Sequence, residues 1–138
     1  MKNTNYPNRA ISPPNNKFEE LNLQNPENIK LKNGLDLYLI ESGLEEVVRI
    51  DLVINAGSVY QSKKLCANFT NDLLIEGTKK LSSEKIAHEL DFYGAYLYAS
   101  TSKDNAVITL FSITKHLEKL LPIFRDVIIE SIFPEQEF

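Results

Sequence analysis

Apolar and polar positions change rhythm several times along this chain. Across residues 1–28 asparagines recur with Pro7, Pro13, Pro14 and Pro26, and apolar residues are scattered. Such a stretch buries too little to offset its ordering cost, so it reads as an extended arm. Ile11, Phe18, Leu21 and Leu23 give it a few points with which to lie along a surface. From Ile29 a strict alternation begins. Ile29–Lys32 and Leu35–Leu39 flank Asn33-Gly34, which predicts a hairpin with a two-residue turn. Val48, Ile50, Leu52 and Ile54 then alternate with Arg49, Asp51 and Asn55, the pattern of a half-buried antiparallel strand over Val47–Asn55.

The period next shifts from two toward 3.6. Leu65, Phe69 and Leu73 predict a helix over Lys63–Glu76, with Gly77 just past its end. Ser82 or Ser83 can cap a second helix bearing Ile86, Ala87 and Leu90 and closed by Gly94. Ala95–Thr101 and Ala106–Ile113 read as strands joined around Lys103-Asp104-Asn105. Thr114 is placed to cap a third helix with a wide stripe of Leu117, Leu120, Leu121, Phe124, Val127 and Ile128. Pro122 predicts a kink inside it, and Pro134 its end. No repeat is visible along the chain. Strands, two helices, two strands and a helix, with no long parallel crossover, predict an α+β fold, mainly antiparallel, with helices packed on one face.

Composition narrows the function. The 138 residues carry 15 basic and 19 acidic side chains, a formal charge of -4. Non-specific binding to nucleic acid or to an anionic membrane needs a basic stripe instead, so neither partner is expected. The start lacks an apolar signal region and no stretch is of membrane-spanning length, which makes a cytoplasmic location the expectation. Cys66 is the single cysteine, which excludes an internal disulfide. It reads as a small buried thiol on the helix's apolar side. Gly-x-Ser-x-Gly, phosphate-loop and Cys-x-x-Cys patterns are missing. His88 and His116 stand on different predicted helices without a second ligand at helical spacing, and read as solvated helix residues.

The informative stretch runs from Leu65 to Thr78, LCANFTNDLLIEGT. It resembles the first active-site helix of the pitrilysin/insulinase/mitochondrial-processing-peptidase family, zinc peptidases whose inverted motif H-x-x-E-H is followed by Gly-Thr. Other pieces fall in the same order: Leu31–Leu35 resembles the family's L-x-N-G-L hairpin, and Ile54–Ser58 its strand end in Gly-Ser. Phe92–Ala95 with Ala99–Asp104 is similar to the segment that follows, and Phe133-Pro134 loosely to its helix exit. The resemblance covers residues 29–138, the amino-terminal part of a processing-peptidase-like half-domain that is incomplete, after the 1–28 arm.

That resemblance places Asn68 and Asp72 at the two histidine positions and Asn71 at the glutamate. Two histidines at i and i+4 offer neutral nitrogen ligands to zinc from one helix face, and the glutamate takes a proton from metal-bound water. An amide does neither well, and one carboxylate does not hold zinc alone. The family's distal glutamate ligand would fall past Phe138. The expectation is therefore no catalytic residue, no metal and no cofactor, zinc belonging to active relatives. Asn68, Asn71, Asp72 and Ile75 become a solvated or partner-facing polar stripe. The resemblance also implies that Leu97, Tyr98, Ala99 and Ser100 offer a strand edge to an extended peptide. The plainer alternative makes this an ordinary strand, with Tyr96 and Tyr98 packed under a helix. The expected role is a catalytically inactive peptidase-like domain serving as structural or substrate-binding partner of an active subunit of its family, or associating with itself. Two alternatives stay open: a zinc metallopeptidase whose ligands are completed by missing segments or a partner, and a free-standing peptide-binding module.

Overall fold

The structure is a computed structural model that describes residues 10–12, 15 and 23–137. Phe18, Leu21 and the prolines 7, 13 and 14 of the expected arm lie outside the described residues. Ile11 and Leu23, which are described, are exposed. The chain divides into two compact units between Gly43 and Leu44.

In the first unit β1 (Glu27–Lys30) pairs antiparallel with β2 (Asp36–Leu39), in a register that sets Ile29 opposite Leu37 and Lys30 opposite Asp36. The Asn-Gly turn is not the two-residue type. Gly34 N–H donates to Leu31 C=O and Leu31 N–H to Leu35 C=O, each at 2.9 Å. A two-residue type I′ turn needs positive φ at both central residues, whereas here only Gly34 has it, at 89°. Asn33 instead uses its side chain, accepting from Leu35 N–H at 3.2 Å, which holds a wider loop.

In the second unit β3 (Val47–Ile54), β4 (Tyr96–Thr101) and β5 (Ala106–Ile113) form an antiparallel sheet in the order β3-β5-β4. Three helices, α1 (Cys66–Leu73), α2 (Ser83–Tyr93) and α3 (Leu117–Ile129), complete the unit. The predicted α+β class with an antiparallel sheet is what the chain adopts. The core is a single cluster. Ile108 and Leu110 of β5, Ile86 of α2 and Leu120, Ile123, Phe124 and Val127 of α3 are buried together, with Ile50, Leu52 and Leu97 against them. The opposite sheet face stays open, with Tyr96, Tyr98, Val47 and Val53 exposed. Tyr96 and Tyr98 thus do not pack under a helix. Strand alternation sends them away from Leu97 and Ala99, the residues that do face the helices.

Local chemistry sets the helix limits. Ser82 caps α2 by accepting from Lys85 N–H, and Gly94 closes it at φ 60° while Ala95 N–H returns to Leu90 C=O at 2.8 Å. Helix α1 is shorter than its pattern, because Leu65 adopts a left-handed φ of 67° and the last turn tightens into a 3₁₀ segment, Leu74–Glu76. Its inward face also differs from the periodic one. Leu65 and Phe69 are exposed and Cys66 is an exposed thiol, while Asn71 and Leu73 are buried. Thr114 does not cap α3: it opens a 3₁₀ turn, and its N–H donates to Glu46 C=O at 2.9 Å. Pro122 lies inside α3, which continues through it to Ile129 and so ends before Pro134.

Two tight junctions fix the sheet to its surroundings. Gly57, after β3, lies against the β4–β5 turn, donating from its N–H to Asp104 C=O at 3.1 Å. Ser58 and Val59 N–H follow, to Ser102 and Lys103 C=O at 3.0 Å each. The segment after α1 is fastened to α3. Lys79 Nζ meets Glu130 Oε2 at 2.6 Å and Lys80 Nζ meets Asp126 Oδ2 at 2.7 Å. Thr78, buried there, accepts from Leu81 N–H at 3.0 Å through its hydroxyl, which organises the turn that the Gly-Thr pair opens.

Candidate functional site

The helix singled out by its sequence lies against the edge strand. Ala67 N–H at the start of α1 donates to Gln61 Oε1 at 3.3 Å, so a side chain from the preceding loop does the work of the absent cap. From that helix Asn68 and Asp72 project one turn apart and are exposed. Asn71, at the edge of the same sector nearest the sheet, is only 2% exposed.

Its amide Nδ2 donates to Ser100 C=O at 2.7 Å and to Thr101 Oγ1 at 3.2 Å, across the helix–strand boundary. The orientation of the amide is fixed by chemistry, because only the nitrogen can donate to a carbonyl. Asn71 Oδ1 is buried without a hydrogen-bond partner. The polar stripe expected of Asn68, Asn71, Asp72 and Ile75 is therefore broken. Two of its members face solvent, Ile75 is half-buried and Asn71 is a strut inside the fold. The period of 3.6 alone puts all four within one broad sector. Only the partner on β4 shows which way the sector is turned.

Among the described residues, the strand that receives this strut is paired on one side only. β4 pairs with β5 alone, Leu97 opposite Leu110 and Ala99 opposite Ile108. Ser102 N–H donates to Asn105 C=O at 2.8 Å, closing the turn with a hydrogen-bonded pair. Pairs in an antiparallel ladder alternate, so the N–H and C=O of Ser100, Tyr98 and Tyr96 point toward β5. Those of Leu97, Ala99 and Thr101 point outward. Of the four residues named from sequence for the edge, Leu97 and Ala99 present backbone groups there. Tyr98 and Ser100 supply side chains to the open face.

Among the described residues no group of three or more His, Cys, Asp or Glu is placed to hold a metal ion. His88 is exposed on α2, and His116 is half-buried with its ring 5.1 Å from that of Tyr93. No helix among the described residues is long and apolar enough to cross a membrane.

Most of the chain matches one known protein family. Its sequence model, described as Insulinase (Peptidase family M16), matches residues 38–138. The chain belongs to the insulinase family. This M16 chain is 30% identical over 110 residues to an "Uncharacterized zinc protease" of Rickettsia bellii (strain RML369-C), covering 78% of the chain and 27% of that relative. It is 34% identical over 109 residues to "Mitochondrial-processing peptidase subunit beta" of Bos taurus, covering 78% of the chain and 22% of the relative. It therefore spans about a quarter of the length of these curated relatives. Among solved structures, a peptidase M16 inactive domain from Pseudomonas fluorescens superposes with a TM-score of 0.77 at 25% identity, over 83% of this chain and 28% of that one. A protease from Helicobacter pylori shares the fold, with a TM-score of 0.70 at 24% identity, over 83% of this chain and 28% of that one.

Proposed function

We propose that this chain is a catalytically inactive M16 domain that binds extended peptides along β4 and serves an active peptidase subunit of its family. One observation carries the reading. At the position where the family motif has its glutamate, Asn71 is buried and spends its amide on the backbone of the edge strand. A carboxylate there would face the Ser100 carbonyl oxygen, and the amide cannot take a proton from water. The position has exchanged a proton acceptor for a clamp.

The donor set does not fit zinc. Asn68 and Asp72 offer one amide and one carboxylate in place of two imidazoles, and zinc sites draw on nitrogen, thiolate and carboxylate ligands. No step of metal-assisted hydrolysis is derived from them. Support for the partner role comes from the relatives: the Pseudomonas fluorescens structure is described as an inactive domain, and the bovine relative is named as one subunit of a peptidase. Support for peptide binding comes from the unpaired outward groups of Leu97, Ala99 and Thr101. A strand added there gains main-chain hydrogen bonds without rearrangement of the sheet.

The test has two arms. Dialysed protein is assayed for zinc and for cleavage of quenched fluorescent peptides, with no stoichiometric metal and no cleavage expected. Zinc at one per chain, with cleavage abolished by a chelator, overturns the inactive reading. Fluorescence anisotropy then follows the binding of labelled extended peptides. Ala99→Pro removes an outward N–H while leaving the ladder to β5 whole, so it is expected to abolish binding with the fold intact. Binding unchanged by Ala99→Pro overturns the edge reading.

A further inference from the structure

A pocket of about 140 Å³ opens beside the edge strand, between α2, the 3₁₀ turn after α1, and β4. Its walls are apolar where Ile75, Ile86, Leu90 and Leu97 meet, and polar where Glu76 and Ser83 meet. Leu97 belongs both to this wall and to the strand whose backbone groups face outward. Residues paired across neighbouring strands put their side chains on the same face, about 5 Å apart. A peptide residue paired with Leu97 therefore directs its side chain onto the helix face of the sheet, at the mouth of the pocket.

The polar wall says what that side chain is. Glu76 Oε2 accepts from Ser83 Oγ at 2.7 Å, which holds the carboxylate in place. Glu76 takes part in none of the ion pairs among the described residues, which join Lys30–Asp36, Arg49–Asp51, Lys79–Glu130, Lys80–Asp126 and Arg125–Asp126. The neighbouring Lys79 and Lys80 are committed to α3. A fixed carboxylate without a cation, above an apolar floor, is complementary to a long apolar stem ending in positive charge. Lysine and arginine are built that way, burying their methylene stems while the charged head stays at the polar rim.

We propose that this pocket is a side-chain subsite for the bound strand, and that it selects a lysine or arginine at the residue paired with Leu97. The proposal rests on the strand-pairing reading of β4 and adds to it a preference for a basic residue. The experiment measures anisotropy of labelled short peptides of alternating Thr and Val with one central Lys, norleucine or Glu, on the full chain. Norleucine keeps the stem and removes the charge. Lys is expected to bind about fivefold tighter than norleucine, the scale of a partly exposed ion pair. Glu is expected to bind weakest. Glu76→Gln, checked for an unchanged melting curve, is expected to bring Lys and norleucine to equal affinity. Added salt is expected to narrow the Lys preference in the parent chain only.

Equal binding of Lys and norleucine by the parent chain overturns the subsite, as does a Lys preference that survives Glu76→Gln. In either case binding that Ala99→Pro abolishes leaves the edge reading standing. Failure of every peptide to bind overturns both.

Discussion

Replacement of Gly57 by alanine is the sharpest test of how the sheet is locked. The backbone at Gly57 is ordinary, with φ -74°, so an alanine suffers no torsional penalty. Space is the constraint. A Cβ built there lies 2.3 Å from Lys103 O, 2.4 Å from Asp104 C and 2.5 Å from Asn105 N, all backbone atoms. Ordinary contact needs about 3.4 Å or more, so the two segments must part by about 1 Å. That separation falls on the three hydrogen bonds from Gly57, Ser58 and Val59 to the turn between β4 and β5. Losing two of them at about 1 kcal/mol each, together with residual crowding of about 1 kcal/mol, gives a destabilisation of about 3 kcal/mol. Urea unfolding followed by circular dichroism reads it as a fall in midpoint at unchanged slope. Gly94→Ala is the control, because it has open space but a φ of 60°. Its expected cost is about 1 kcal/mol, from conformation alone. If Gly57→Ala unfolds within 0.5 kcal/mol of the parent, or more easily tolerates urea than Gly94→Ala, the close-approach argument is wrong; the smaller figure is about the ordinary scatter for harmless surface changes.

Three further outcomes are expected. Asn71→Ala removes the donor to Ser100 and costs about 1–3 kcal/mol in the same unfolding assay, while Asn71→Asp is worse at neutral pH and recovers as the carboxyl protonates in acid. Lys80 beside Asp126 and Lys79 beside Glu130 hold both carboxyls below their ordinary values of 3.8 and 4.5. Their stabilising contribution is complete above those values and is lost as pH falls through the lowered ones, so Asp126→Asn is expected to weaken the protein at pH 7 and flatten its acid unfolding profile. Leu120, fully buried in the core, is expected to cost about 2–5 kcal/mol on replacement by alanine, with the melting temperature as the readout.

Much of the architecture was legible in two-residue and 3.6-residue periods. β5 has the predicted limits, and Ser82 and Gly94 bracket α2 as their chemistry demands. What periodicity could not supply was the direction in which a short helix faces. Leu65, Phe69 and Leu73 make a plausible inward stripe. The helix nevertheless turns Asn71 toward the sheet, because the amide has two acceptors waiting on β4 and Leu65 lies in a left-handed turn outside the helix. A polar residue at the centre of a contact is invisible to a pattern that assigns polar positions to solvent. The hairpin turn departs from its sequence pattern for a related reason. Asn33-Gly34 favours a two-residue turn, but the side chain of Asn33 offered Leu35 N–H a bond that a wider loop can use. The need for glycine at position 57 shows only in the structure, where its torsions are ordinary and the backbone of the β4–β5 turn fills the space a Cβ would take. The pocket at Glu76 carried no signal in the sequence either, because its walls come from segments that only the fold brings together.

β4 reads Tyr-Leu-Tyr-Ala-Ser-Thr, with neither a lysine nor a proline along its free rim. Exposed rims are ordinarily blunted by such residues, which discourage stray chains from stacking. A rim this bare invites the rim of another copy to pair with it, so the isolated chain is expected to lose solubility as its concentration rises.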